Sequence, residues 1–187
     1  MQTSNILIVD DEKSVLEALK RSFIDDPYEI HSAQSAEEGL RLLSAMKTKV
    51  VISDEMMPGM SGADFLAKVS SNFPRVIRIM LTGHASLAAA VKAINKGEIY
   101  RFFTKPWDDF ELRFAVKTAV EKFDLEEENS RLLETIKKQA LNLKLIEKEF
   151  PGITQLEYDR KGRIVVRDVS DDDVELILAQ LEKEYGS

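Results

Sequence analysis

Five short predicted strands, the first and third of them continuous apolar runs, alternate with helical patterns and constrain the fold of this chain more than any other feature. They are residues 5–9, 28–33, 50–52, 76–81 and 99–104. Apolar runs without polar alternation are typical of strands that are buried on both faces. Alternating strands and helices form a parallel sheet with helices on both sides, joined by right-handed crossovers. We therefore predict an α/β fold over residues 1–123, a doubly wound parallel sheet of five strands.

The helices between these strands have recognisable start and stop signals. Ser14 can cap the first helix, and Ser35 with Glu38 forms a capping box for the second. A third helix is expected over about residues 63–70, and Ser86 to Gly97 is expected to form a fourth.

Polar residues follow four of the predicted strands at their carboxyl ends. They are Asp10 and Asp11, Asp54, Thr82, and Lys105. Open α/β sheets place their ligand crevices at this edge, so we expect these side chains to lie together. Clustered carboxylates require a cation, and Mg²⁺ or Mn²⁺ accepts such oxygen ligands. A hydroxyl and an ammonium suit phosphate oxygens, so the set predicts phosphoryl transfer, with Asp54 as the candidate nucleophile.

The ordered set of motifs resembles the receiver domain of two-component response regulators. The resemblance is carried by Asp10-Asp11, by Asp54 with the Met-Pro-Gly-Met-Ser-Gly loop at 57–62, by Thr82-Gly83 and by Lys105-Pro106. It covers about residues 4–123. It implies a flavodoxin-like fold with the strand order 2-1-3-4-5.

The same resemblance implies roles for the acidic residues. Asp54 is the expected phosphoacceptor, which receives a phosphoryl group from a histidine kinase or a phosphotransfer protein. Asp11 is the expected principal Mg²⁺ carboxylate, Asp10 its helper, and the backbone carbonyl of Met56 a further ligand. Pro106 is expected to follow a cis peptide bond.

Three further roles follow from the resemblance. Thr82 is the expected switch hydroxyl, Lys105 the lysine that pairs with the phosphoryl group, and Phe102 the switching aromatic residue. Met56 and His84 stand at positions that tune the lifetime of the phosphoryl group. Met56 cannot orient a water molecule, so slow self-hydrolysis is expected; His84 acts in the opposite direction if it reaches the site.

A long helix without Gly or Pro is predicted from Asp109 to about Glu149. Its first part carries an apolar stripe of Leu112, Val116, Ala119 and Phe123. A heptad stripe follows, formed by Leu125, Leu132, Ile136, Leu143 and Ile146, with the polar Asn129 and Gln139 in the same track. We predict a coiled-coil linker over 124–150 and a homodimer through 112–146; the alternative is a helix folded back on its own chain.

The last segment, residues 151–187, differs from the rest. Its pattern predicts two short strands, 154–158 and 163–167, around a turn, then a helix that begins after Ser170. So short a segment buries little core alone, so it packs on something else or belongs to a larger output region. It carries more acidic than basic side chains, and direct DNA binding by it is not expected.

Composition limits the remaining classes of protein. The chain has no cysteine and a formal net charge of −7, and no apolar run is long enough to cross a membrane. We expect a cytoplasmic protein that does not bind membranes.

The predicted function is that of a phosphorelay response regulator rather than an enzyme. Phosphorylation of Asp54 is expected to reach a dimer interface or an output partner through the 86–123 face and the coiled coil. One alternative is a degenerate receiver that acts as a phosphorylation-independent dimeric scaffold. A second is a metal-dependent phosphohydrolase, which would need a carboxylate where Met56 stands.

Overall fold

The computed structural model describes residues 4–83 and 98–149, with two short strands at 157–158 and 164–165. The chain divides into two compact units, Met1–Leu133 and Glu134–Ser187. In chain order the described elements are β1 (Ser4–Val9), α1 (Lys13–Ser22), β2 (Tyr28–Ala33), α2 (Ala36–Ala45), β3 (Val50–Asp54), α3 (Gly62–Asn72), β4 (Ile77–Thr82), β5 (Arg101–Thr104), α4 (Asp109–Glu149), β6 (Glu157–Tyr158) and β7 (Ile164–Val165).

The first unit contains a five-stranded sheet in the order β2-β1-β3-β4-β5, and every neighbouring pair is parallel. This confirms the predicted fold class and the strand order that the receiver resemblance implied. The chain first runs outward from β1 to β2 and then crosses back to β3. The β1–β3 junction is therefore the point where the strand order reverses, which is where such sheets bind their ligands.

Both faces of the central strands are covered, which explains why β1 and β3 lack polar alternation. Successive residues of a strand point to opposite faces. Ile6 and Ile8 of β1 therefore join a core cluster with side chains of α1 and α4. Leu7 and Val9 join a second cluster with side chains of α2 and α3.

The helix starts follow the cap chemistry only in part. Ser35 caps α2 as predicted, and its Oγ accepts a hydrogen bond from the Glu38 N–H at 3.2 Å. The Glu38 carboxylate, the other half of the predicted capping box, accepts from the Gln34 N–H at 2.8 Å. The prediction that Ser14 caps α1 is wrong, because the helix begins at Lys13 and its N-cap, Glu12, makes no side-chain cap bond. The Glu12 N–H instead donates to Asp10 Oδ1 at 2.9 Å, so a carboxylate of the preceding strand end holds this turn.

The first part of α4 packs on the sheet. Leu112, Val116, Ala119 and Phe123 are all buried, as their stripe predicted. Two ion pairs attach the next turn of the helix to the segment before β3: Lys49 Nζ lies 2.6 Å from Asp124 Oδ1, and Lys47 Nζ lies 2.5 Å from Glu127 Oε1. From Leu125 onward the apolar side chains are largely exposed. The stripe from Leu112 to Phe123 is thus covered by its own chain, whereas Phe110 and Phe114 on the same part of the helix are exposed.

In the second unit, β6 and β7 pair antiparallel, with Glu157 opposite Val165 and Tyr158 opposite Ile164. This agrees with the predicted hairpin; the other residues of the two predicted strands lie outside the described residues. The helices predicted over 86–97 and after Ser170 lie outside the described residues. The predicted boundaries at residues 123 and 150 remain predictions. Among the residues described, no helix combines the length and apolar character needed to cross a membrane.

Candidate phosphoacceptor site

Three of the predicted site residues meet at the carboxyl edge of the sheet. Asp10 follows β1, Asp54 ends the adjacent strand β3, and Lys105 follows β5. Lys105 Nζ lies 2.8 Å from Asp10 Oδ2 and 2.5 Å from Asp54 Oδ1. Both carboxyl groups are buried, so one partly exposed ammonium joins two buried acidic side chains.

Burial and pairing act in opposite directions on these charges. Burial raises the pKa of Asp10 above its ordinary value, and hydrogen bonds from Lys105 and from the Glu12 N–H offset part of the rise. Burial alone would lower the pKa of Lys105, but its hydrogen bonds to Asp10 and Asp54 outweigh this, and the pKa is raised. The lysine is therefore a cation at neutral pH, which suits the binding of phosphoryl oxygens.

The second oxygen of Asp54 contacts the loop that follows β3. The Met56 N–H donates to Asp54 Oδ2 at 2.9 Å, while the Met56 side chain is 69% exposed. The loop leads to α3, which is capped by Ser61 through a 3.1 Å bond from the Asp64 N–H. Both oxygens of Asp54 are thus oriented, one by Lys105 and one by the backbone.

The other predicted site residues are placed less centrally. Thr82 is buried at the end of β4, and its hydroxyl donates to the Gly83 carbonyl at 3.1 Å. Asp11 is exposed, and Phe102 is half-buried against the α2–α3 core cluster. The peptide bond before Pro106 is cis, as the resemblance implied. His84 lies outside the described residues.

The oxygen donors at this edge fit a hard divalent cation. The described part of the chain contains no group of three or more His, Cys, Asp and Glu side chains that could hold a metal ion. Mg²⁺ does not require such a group, because it is commonly held by one or two carboxylates plus water and phosphate oxygens. Asp10 and Asp54, which share Lys105, with Asp11 next in the chain, provide this kind of donor set.

Two residues beside the site have roles that the sequence patterns did not indicate. Glu55 is buried, and burial raises the pKa of its carboxyl group, partly offset by a hydrogen bond from the Ala63 N–H. Gly62 approaches the backbone of Asp54 so closely that a Cβ at this position would lie 1.9 Å from the Asp54 carbonyl oxygen. The sequence contains one signal for each residue. Glu55 is an acidic residue directly after a buried strand, and Gly62 is a glycine directly after a helix cap.

The comparisons with known proteins agree with this fold. The family model of the response regulator receiver domain matches residues 6–117, and the chain belongs to this family. The response regulator protein TmoT of Ectopseudomonas mendocina is 34% identical over 136 residues, which are 73% of this chain and 61% of that protein. A signal receiver domain of an HD domain-containing protein from Pseudomonas fluorescens Pf-5 is 39% identical, with a TM-score of 0.65; the match covers 68% of this chain and 94% of that one.

Several relatives are much longer than the matched region. The hydrogenase transcriptional regulatory protein HoxA of Cupriavidus necator is 32% identical over 129 residues, which are 69% of this chain but 27% of HoxA. The match to HoxA of Bradyrhizobium diazoefficiens covers 32% of that protein. The receiver prediction is confirmed, and this chain spans only about a third or less of the length of these two regulators.

Proposed function

We propose that this chain is a phosphorelay response regulator in which Asp54 accepts a phosphoryl group from a histidine kinase or a phosphotransfer protein. One observation carries the proposal: Lys105 Nζ contacts the carboxylates of both Asp54 and Asp10. A fixed cation beside a nucleophilic carboxylate stabilises negative charge on the phosphoryl oxygens during transfer. The proposed site of action is the cytoplasm.

In the proposed reaction, a carboxylate oxygen of Asp54 attacks the phosphorus of a phosphohistidine. The new bond is P–O, the bond that breaks is P–N, and the imidazole nitrogen keeps the electron pair. Lys105 then donates to a phosphoryl oxygen, and the Thr82 hydroxyl turns from the Gly83 carbonyl towards the same group. When bound, Mg²⁺ offsets the negative charge of the carboxylates and phosphoryl oxygens.

The metal ligands in this proposal are oxygen atoms of the site. Asp11, Asp54 and the backbone carbonyl of Met56 would hold Mg²⁺ or Mn²⁺ directly, and Asp10 would do so through water. The exposed thioether of Met56 cannot orient an attacking water molecule. Hydrolysis of the phosphoryl group is therefore expected to be slow, and the chain is proposed to act as a signalling protein rather than an enzyme.

The proposed output step uses α4. Phosphorylation adds a charge of about −1.5 to −2 at Asp54, which favours the inward positions of Thr82 and Phe102. We infer that the change reaches α4 through the 86–123 face. Because Leu112 and Val116 are covered by their own chain, the homodimer proposed through 112–146 would form along the exposed stripe that begins at Leu125. Direct DNA contact by 151–187 is not part of this proposal.

Phosphorylation can be tested by intact-mass spectrometry after incubation with Mg²⁺ and acetyl phosphate. We expect the unsubstituted protein to gain the mass of one phosphoryl group and Asp54→Asn to gain none. Asp64→Asn is the matched control, because it removes the same charge from an exposed position near the same loop and should gain the adduct. An unsubstituted protein without an adduct would favour the scaffold alternative, and rapid steady turnover of acetyl phosphate would favour a phosphohydrolase.

The dimer can be tested with two substitutions on the same helix. Leu143 and Leu141 are similarly exposed, 55% and 57%, but only Leu143 belongs to the heptad stripe. We expect Leu143→Glu to shift the protein to the monomer in light scattering, because a charge enters the apolar interface. Leu141→Glu should leave the dimer intact. Equal effects of the two substitutions, or an unsubstituted monomer, would reject this interface.

A further inference from the structure

Glu55 is tied to its surroundings by its backbone and by its side chain. The residue is 7% exposed, although acidic side chains are rarely buried without partners. Its backbone N–H donates to the Leu81 carbonyl and its carbonyl accepts from the Gly62 N–H, both at 2.9 Å. Its carboxyl group accepts a hydrogen bond from the Ala63 N–H. Glu55 thereby joins β3, β4 and α3.

These bonds hold the start of α3 against the end of β3. The first N–H groups of a helix have no partner within the helix and need acceptors from outside. The backbone carbonyl of Glu55 accepts a hydrogen bond from the Gly62 N–H, and its carboxyl group accepts one from the Ala63 N–H. The Asp64 N–H donates to Ser61 Oγ. Glu55 therefore supplies two of the acceptors that begin α3, and the loop between β3 and α3 is closed at its base.

We propose that Glu55 is a positioning residue for the phosphoacceptor site, because its side-chain oxygen holds the start of α3 at Ala63, and the adjacent Gly62 anchors the peptide before Met56. The inference rests on the proposed function of Asp54. The N–H of the peptide that joins Glu55 to Met56 donates to Asp54 Oδ2 at 2.9 Å, and the carbonyl of this peptide accepts from Gly62. Both polar atoms of the peptide are held, and the Met56 carbonyl is the next acceptor along the chain.

In this proposal the length of the Glu55 side chain, and not its charge, allows the hydrogen bond to Ala63. Glu55 Oε2 is buried and has no hydrogen-bond partner among the described residues. The carboxyl group therefore contributes its one bond to Ala63. Glutamine has the same length and also presents an oxygen acceptor, whereas aspartate keeps the charge but is one methylene shorter.

The pair Glu55→Gln and Glu55→Asp separates these two properties. We expect Glu55→Gln to bind Mg²⁺ as the unsubstituted protein does, in isothermal titration calorimetry. Glu55→Asp is expected to bind about tenfold more weakly, the usual scale for loss of a group that orients a ligand. Asp64→Asn is the control for charge at the start of α3 and should leave Mg²⁺ affinity unchanged. Circular dichroism confirms that each variant is folded.

If Glu55→Gln binds as weakly as Glu55→Asp, charge or packing and not an acceptor at this reach is responsible, and the inference is overturned. If both variants bind Mg²⁺ normally and gain the phosphoryl adduct at the normal rate, Glu55 has no positioning role, while the proposed function stands. If the unsubstituted protein neither binds Mg²⁺ nor gains the adduct, the proposed function fails and this inference fails with it.

Discussion

Replacing Gly62 with alanine should disturb the backbone of the phosphoacceptor directly. The added Cβ would lie 1.9 Å from the carbonyl oxygen of Asp54 and 2.8 Å from the Glu55 Cα. Contacts between carbon and a carbonyl oxygen lie at roughly 3.3 Å or more, so the methyl group and the oxygen must separate by about 1.4 Å. Both obstructing atoms belong to the backbone, so no side-chain rotation can relieve the contact.

The expected cost follows from this displacement. We expect Gly62→Ala to lower the free energy of unfolding by about 3 kcal/mol, the upper end of the range for overpacked sites. A backbone shift of this size at a reacting group reduces rates on the order of 100-fold. Phosphorylation of Asp54 by acetyl phosphate should therefore slow by about this factor.

Urea unfolding and the rate of phosphoryl adduct formation test this reasoning together. Gly83→Ala is the control for stability, because a Cβ there meets no atom of the described residues within 4 Å and the backbone does not have a positive φ. It should change the free energy of unfolding by less than about 1 kcal/mol. The reasoning is refuted if Gly62→Ala unfolds at the same urea concentration as Gly83→Ala and is phosphorylated at the normal rate.

Three further predictions concern stability, each measured by urea unfolding. Burial raises the pKa of Tyr28 above 10.0. The neutral phenol therefore contributes stability that is present below pH 10.0 and is lost as the pH rises through the folded-state pKa. Tyr28→Phe should reduce this loss of stability at alkaline pH, and an unchanged loss would contradict the assignment. Ser35→Ala should cost about 1 kcal/mol through loss of the α2 cap, while Ser44→Ala, whose hydroxyl bonds within the helix, should cost almost nothing. Lys105→Met should cost about 3 kcal/mol at neutral pH by leaving two buried carboxylates without a cation. Because burial already raises the pKa of Asp10, this carboxylate is protonated more readily in acid, and the stability cost of Lys105→Met should be smaller there. Equal costs at acidic and neutral pH would contradict this prediction.

The sequence was sufficient to predict the sheet and the meeting of Asp10, Asp54 and Lys105. Uninterrupted apolar runs distinguish strands covered on both faces, and the carboxyl ends of parallel strands share one edge. A polar residue directly after such a run can therefore be assigned to this edge of the sheet from the sequence alone. The strand order came from the receiver resemblance, because apolar patterns do not specify which strands are neighbours.

The remaining features depend on distances that sequence patterns do not contain. Lys47 and Lys49 pair with acidic residues of α4 that are far along the chain, and charge alternation cannot identify such partners. The start of α1 was misplaced at Ser14 because the carboxylate of Asp10 holds this turn from the strand end. The role of Glu55 depends on a buried contact with α3, which no local pattern reveals.

Strand β3 connects the acidic site to the first turn of α4 that lies beyond the core. Asp54 ends this strand, and Lys49, which precedes it directly, pairs with Asp124. Five strand residues span about 17 Å, and an extended backbone resists stretching along its axis. A shift of Asp54 along the strand would therefore be expected to displace Lys49 and, through its ion pair, Asp124 of α4. Such a route would be covalent as far as Lys49 and would act beside the route proposed through the 86–123 face.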